Sequence, residues 1–101
     1  MNERRILELI RSGRVLFHYP LKAYALEGTG AFGVSVPKRN FKRAVRRNLL
    51  KRRMREAYRL NAPKRPALSC DVFIYYVGKQ TEDYGRIEKS IGQILDDLAS
   101  R

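Results

Sequence analysis

The sequence contains one cysteine, one histidine and no tryptophan in 101 residues. One cysteine cannot close an internal disulfide, and one cysteine with one histidine cannot build a zinc finger or a Cys–His metal cluster. Long apolar runs are missing too. The longest, Val72–Val77, falls far short of the ~20 residues that a membrane span needs. The opening Met1-Asn2-Glu3-Arg4-Arg5 leads into an amphipathic pattern and not an apolar secretory stretch, so a signal peptide is not expected and a reducing cytoplasm is the expected compartment. No nucleophile–base pair, carboxylate cluster or Gly-rich phosphate loop can be picked out, so no catalytic residue and no protein metal ligand is assigned.

What the chain does have is positive charge and a normal share of core formers. Hydrophobic residues make up 44%, ordinary for a globular chain, and the length suits one domain over residues 1–101. The net charge is +12, and it is local. Between Lys38 and Arg65 thirteen Lys and Arg face a single acid, Glu56, so this segment carries the whole surplus and the remainder is neutral. A surplus this concentrated points to a polyanion, nucleic acid before anionic membrane.

Apolar spacing predicts a helix over Asn2–Ser12, with Gly13 as its stop. Arg14–Leu26 reads as strand with an irregularity at Pro20, and Glu27-Gly28-Thr29-Gly30 as a hairpin-type turn. Ala31–Val36 alternates, with Phe32, Val34 and Val36 on a core-like face. The opposite face, Ala31, Gly33 and Ser35, is small enough for another molecule to approach the backbone. A basic connection and a helix over about Ala44–Leu60 follow, stopped by the segment around Pro63 and Pro66. Cys70–Val77 is expected as a central strand. Tyr84, Ile87, Ile91, Ile94, Leu95 and Leu98 mark a last amphipathic helix. The expected class is α+β, a single α–β sandwich in the order α-β-β-α-β-α.

At about 100° per residue, Leu50, Met54, Ala57 and Tyr58 gather on one stripe of the basic helix, which should pack on the sheet. Asn48, Lys51, Arg52, Arg55 and Arg59 fall on a separate arc, with Arg46 and Arg53 on the flank. Guanidinium groups bind phosphate oxygens in pairs of parallel bonds, and lysine acts as a point charge. Asn48 both donates and accepts, which suits a sugar, a base edge or a water. Glu56 can pair with Arg52 or Arg59. A second helix at helix-turn-helix spacing and the heptads of a basic zipper are both missing, and a membrane-surface helix would need no sheet behind it. RNA is the favoured partner.

The run Phe32-Gly33-Val34-Ser35-Val36-Pro37-Lys38-Arg39 followed by Ala44-Val45-Arg46-Arg47-Asn48-Leu49-Leu50-Lys51-Arg52-Arg53-Met54-Arg55-Glu56-Ala57-Tyr58 closely resembles the bacterial ribonuclease P protein component. The resemblance follows the order of elements along the whole chain and is specific over Phe32–Tyr58. It implies a protein subunit that binds a catalytic RNA and the 5′ leader of precursor tRNA. The RNA itself would cleave the leader with Mg²⁺, which it holds for the most part. It also implies a left-handed βαβ crossover around the basic helix, against the usual handedness. Carried over by position, Arg47, Asn48, Lys51, Arg52 and Arg55 match the RNA-contact helix, and Lys38 and Arg39 match the basic strand end. Tyr24 matches an aromatic of the leader cleft. Ile6 and Ile10 stand where relatives often have phenylalanine, and Ser35 lies on the strand face of that cleft. A monomer is expected in the holoenzyme.

The chain departs from the family pattern at three places. Leu49 stands where many relatives have arginine, a charge that Arg46 or Arg53 could supply. Lys42 and Arg43 replace the usual Gly-Asn. Ile6 and Ile10 can wall a cleft but cannot stack bases. Elsewhere, His18 has no partner at a defensible spacing and reads as a surface or partly buried histidine, Cys70 as a small core residue, and Asp96-Asp97 as a solvated pair. Tyr75 and Tyr76 point to opposite faces, so at most one could stack a nucleotide. Two other functions stay open: a ribosome- or RNA-associated basic binding protein without a role in catalysis, and a self-sufficient nuclease, which the lack of a carboxylate cluster opposes.

Overall fold

The structure, a computed structural model, describes residues 1–99. Three α-helices and four strands run in the order α1 (Glu3–Ser12), β1 (Arg14–His18), β2 (Leu21–Glu27), β3 (Phe32–Ser35), α2 (Ala44–Asn61), β4 (Cys70–Tyr76) and α3 (Tyr84–Ala99), with a short 3-10 turn, Ala62–Lys64, after α2. The four strands form one sheet in the order β1-β2-β4-β3. β1–β2 and β2–β4 are antiparallel, and β3–β4 is parallel. A parallel pair needs a long crossover, and α2 is that crossover. The α+β class is as expected, with one strand more than the sequence reading counted.

Two corrections concern the strands. The stretch expected as one irregular strand is two, because the chain reverses at the cis Tyr19–Pro20 peptide and pairs His18 with Leu21. The expected hairpin at Glu27–Gly30 is not one. β2 and β3 do not pair, since β4 lies between them. The loop instead arches over the start of β4, where the Asp71 carboxylate accepts the backbone N–H groups of Thr29, Gly30 and Ala31 at 2.9–3.1 Å. Gly28 fits here because a Cβ would collide with that carboxylate, and Gly30 adopts φ +92°.

The sheet has a helix pair on one face and a single helix on the other. Leu50, Met54 and Ala57 of α2 and Ile87, Ile91, Ile94, Leu95 and Leu98 of α3 are buried against Leu21, Ala23, Val72, Ile74 and Tyr76 of the sheet. These are the stripes that helical spacing marks out. Tyr58 of α2 stacks on Phe32 of β3 with ring centroids 3.7 Å apart. α1 is capped by Asn2, whose side chain accepts the Arg5 N–H, and it lies across β2 and β4 on the opposite face with Leu9 fully buried. Gly13 ends α1 where a Cβ would strike the Leu9 carbonyl oxygen.

Candidate nucleic-acid interface

α2 turns its core stripe inward, which fixes where its cations point. Asn48, Lys51, Arg52 and Arg55 lie on the outward side, and among the described residues their side chains make no hydrogen bond or ion pair. Lys38 and Arg39, in the turn after β3, are exposed and equally unpaired. Arg59 continues the face and donates to Glu56 at 2.6 Å, so of the two partners open to Glu56 it takes Arg59. The arc therefore keeps most of its donors open to an external acceptor. Val45, 80% exposed, borders it.

Four other arginines of the segment, Arg46, Arg47, Arg53 and Arg65, are engaged in the fold. Arg47 Nη1 donates to the carbonyls of Phe41 (2.7 Å) and Lys42 (2.9 Å), which holds the loop before α2. Arg53 donates to the Glu82 carbonyl at 2.6 Å and Arg46 to the Thr81 hydroxyl at 2.9 Å, both across to the loop before α3. Arg65 pairs with Asp96 at 2.7 Å. Charge alone does not distinguish these from the open set. What they face does.

On the α1 side of the sheet a second surface appears. Because Leu16, Leu21, Ala23, Ile74 and Tyr76 point to the core, their strand neighbours point away from it. The register lines up Val15 with Tyr24 and Tyr24 with Phe73, and Phe73 with Gly33. The next row is Phe17, Lys22, Tyr75 and Ser35. Phe17 is 59% exposed and Val15 51%. Lys22 Nζ sits 5.5 Å from the centre of the Tyr24 ring, a cation–π distance. Ile6 is half-buried and Ile10 exposed on α1. The expected cleft residues Tyr24 and Ser35 thus share one face, with α1 across part of it. Val15, Phe17 and Lys22, which the sequence did not single out, share this face, and so does Tyr75, left open as a stacking candidate. Alternation around Leu16 carried the signal, but it could be used only once Arg14–His18 was recognised as a separate strand.

The remaining expectations resolve locally. His18 is partly buried and does have a carboxylate partner, with Nε2 2.7 Å from Asp97 Oδ2. That partner is 79 residues away in the chain, beyond any spacing argument. Asp96 and Asp97 are accordingly paired with Arg65 and His18. Tyr76 is the core tyrosine and Tyr75 the one on the open face. Among the described residues no three His, Cys, Asp or Glu side chains gather to hold a metal ion, and no helix is long and apolar enough to cross a membrane.

A family model described as Ribonuclease P matches residues 1–99. The chain is 49% identical over 55 residues to a protein of Porphyromonas gingivalis named ribonuclease P protein component, a match covering 48% of this chain and 40% of that one. It is 36% identical over 74 residues to the protein of the same name from Idiomarina loihiensis, covering 73% of this chain and 58% of that one. The chain therefore aligns with less than two thirds of the length of either relative. The solved RNase P protein of Staphylococcus aureus superposes with a TM-score of 0.80 at 20% identity, over 98% of this chain and 94% of that one. That likeness carries the fold, and with it the implied left-handed sense of the β3–α2–β4 crossover.

Proposed function

The chain belongs to the ribonuclease P protein family, and from that premise we propose that it is the protein subunit of a cytoplasmic ribonucleoprotein that removes the 5′ leader from precursor tRNA. The observation that carries this reading is the division between two surfaces. One is the unpaired cationic face of α2 around Asn48, and the other is the open aromatic face of the sheet around Tyr24. The first suits phosphates of a large folded RNA, where charge and bidentate geometry matter more than sequence. The second suits a single strand, whose unstacked bases can lie on aromatic rings.

In this reading Asn48, Lys51, Arg52, Arg55 and Arg59, with Lys38 and Arg39, hold the catalytic RNA. Arg47 acts mainly by fixing the loop before α2, and Arg46 reaches across to the loop before α3. Tyr24, Phe17, Ile6, Ile10 and Ser35 guide the leader. Mg²⁺ and the phosphodiester hydrolysis belong to the RNA, and this chain contributes binding and orientation. A cationic surface beside that RNA would lower the Mg²⁺ needed for activity.

The test is precursor-tRNA cleavage by a cognate bacterial-type ribonuclease P RNA at low Mg²⁺, with and without the protein. Stimulation that favours precursor over mature tRNA supports the proposal. Binding without that preference points to a general RNA-associated protein. Cleavage by the protein without the RNA subunit points to a nuclease.

A further inference from the structure

On the flank of α2 away from Asn48 lies a cleft of about 430 Å³. Four cations line it, Lys42, Arg43, Arg46 and Lys79, together with Asn40 and Gln80, and no acid is among its lining residues. We propose that this cleft is a second phosphate-binding site, which takes phosphodiester groups of the RNA partner other than those on the Asn48 face. The proposal rests on the RNA-binding reading above and adds to it a site and a second line of contact.

The walls of the cleft are held in place. Arg47 ties down the Phe41 and Lys42 carbonyls on one side. On the other, the buried Tyr76 hydroxyl donates to the Gln80 carbonyl at 2.6 Å and accepts the Glu82 N–H at 3.0 Å. Phe41 and Tyr76 meet edge to face at 5.6 Å, which joins the two walls through the core. Arg46 spans the cleft to Thr81, and that bond uses one of its five N–H donors.

The charges lining it lack partners. Lys42, Arg43 and Lys79 are exposed, and among the described residues their side chains make no hydrogen bond or ion pair. The position of Lys42 and Arg43, just before and at the N-cap of α2, also works against the fold. The first turn of α2 has no acid, and Arg43 at its N-cap makes no side-chain cap bond. Cations at the positive end of a helix dipole are unfavourable. A bound anion turns that penalty into attraction. Arg46 lies roughly 160° around the helix from Asn48 at 100° per residue, on a rod about 10 Å across, so one phosphate cannot serve both faces.

The experiment compares three variants for binding to the cognate catalytic RNA across a salt series, with phosphate-ethylation interference on the same complexes. Lys42→Gln/Arg43→Gln/Lys79→Gln should flatten the plot of log K against log[salt] by about 2, at about 0.7–0.9 per phosphate. It should abolish interference at a set of phosphates different from the set lost in Arg52→Gln/Arg55→Gln. Lys64→Gln/Arg86→Gln/Lys89→Gln, with the same loss of charge elsewhere, should do neither. Lys79→Gln alone should remove part of the first set, and a thermal melt of each variant checks folding. A cleft variant that matches the charge control, or loses the same phosphates as Arg52→Gln/Arg55→Gln, overturns the site while the functional reading stands. Wild-type protein that does not bind the RNA overturns the functional reading, and the site with it.

Discussion

Arg5 on α1 and Asp71 on β4 are joined by an Nε–H···Oδ2 bond of 2.8 Å, although 66 residues separate them in the chain. The same carboxylate, 5% exposed, accepts the N–H groups of Thr29, Gly30 and Ala31. One side chain therefore fixes α1 to the sheet and the β2–β3 loop over the end of β4. The N–H of Ala31, then Arg5 and Thr29, hold the Asp71 carboxyl below its ordinary pKa, against burial, which acts the other way.

Asp71→Asn should cost about 2–3 kcal/mol of stability, since it takes a charged acceptor from several donors. A carboxyl with a depressed folded pKa contributes stability that is complete above its unfolded value, about 3.9, and is lost as pH falls through the folded value. Urea unfolding from about pH 5 to about pH 2 should therefore show a shallower acid loss in Asp71→Asn than in wild type.

Arg52→Ala and Arg55→Ala should each weaken binding of the catalytic RNA broadly and reduce the salt slope by about 1. With four to six phosphates neutralised on the α2 face, the slope of log K against log[salt] should be roughly −3 to −5 before any contribution from the flanking cleft. A nearly flat profile in a filter-binding or fluorescence titration would remove the phosphate-clamp account.

Tyr24→Ala and Phe17→Ala should act on substrate choice. Stacking is worth about 1–3 kcal/mol per base, so each should cut the preference for leader-bearing over mature tRNA by about 5- to 150-fold while leaving affinity for the catalytic RNA unchanged. Phe17→Ala should alter stability by less than about 0.5 kcal/mol, because the ring is mostly exposed. Equal losses for precursor and mature tRNA would place these rings outside the leader path.

Tyr76→Phe removes a buried hydroxyl with two partners and should destabilise by about 1–2 kcal/mol. Burial pushes the Tyr76 phenol up to about 12. A raised folded pKa gives stability that is complete below the unfolded value, about 10, and is lost as pH rises through the folded one. Wild type should lose stability between about pH 10 and about pH 12 more steeply than Tyr76→Phe in alkaline denaturation followed by tyrosinate absorbance.

The helices were legible in the sequence because their apolar positions repeat at 3.6 residues and their ends carry local stop signals such as Gly13 and Pro63. The arc around Asn48 was legible for the same reason. Strand pairing was not. Nothing local shows that β4 inserts between β2 and β3, and the Gly28–Gly30 segment carries the same turn residues in a hairpin as in an arch pinned by Asp71. Cleft membership fell with it, since the face Phe17 shares with Tyr24 depends on register across Pro20. Long-range partners such as Arg5–Asp71 and His18–Asp97 had no sequence signal, because each is set by how distant elements pack.

The sheet also acts as a spacer of fixed thickness. Val72, Ile74 and Tyr76 face the core shared with α2 and α3, while Asp71, Phe73 and Tyr75 of the same strand face α1 and the open side. A slip of one residue in β4 would exchange the two sets. The gap between the cationic helix and the aromatic face is thus gauged by a single pleated layer in a molecule whose shortest dimension is 18 Å. A strand lying on one face and an RNA docked on the other would be held at a set distance without any hinge between them.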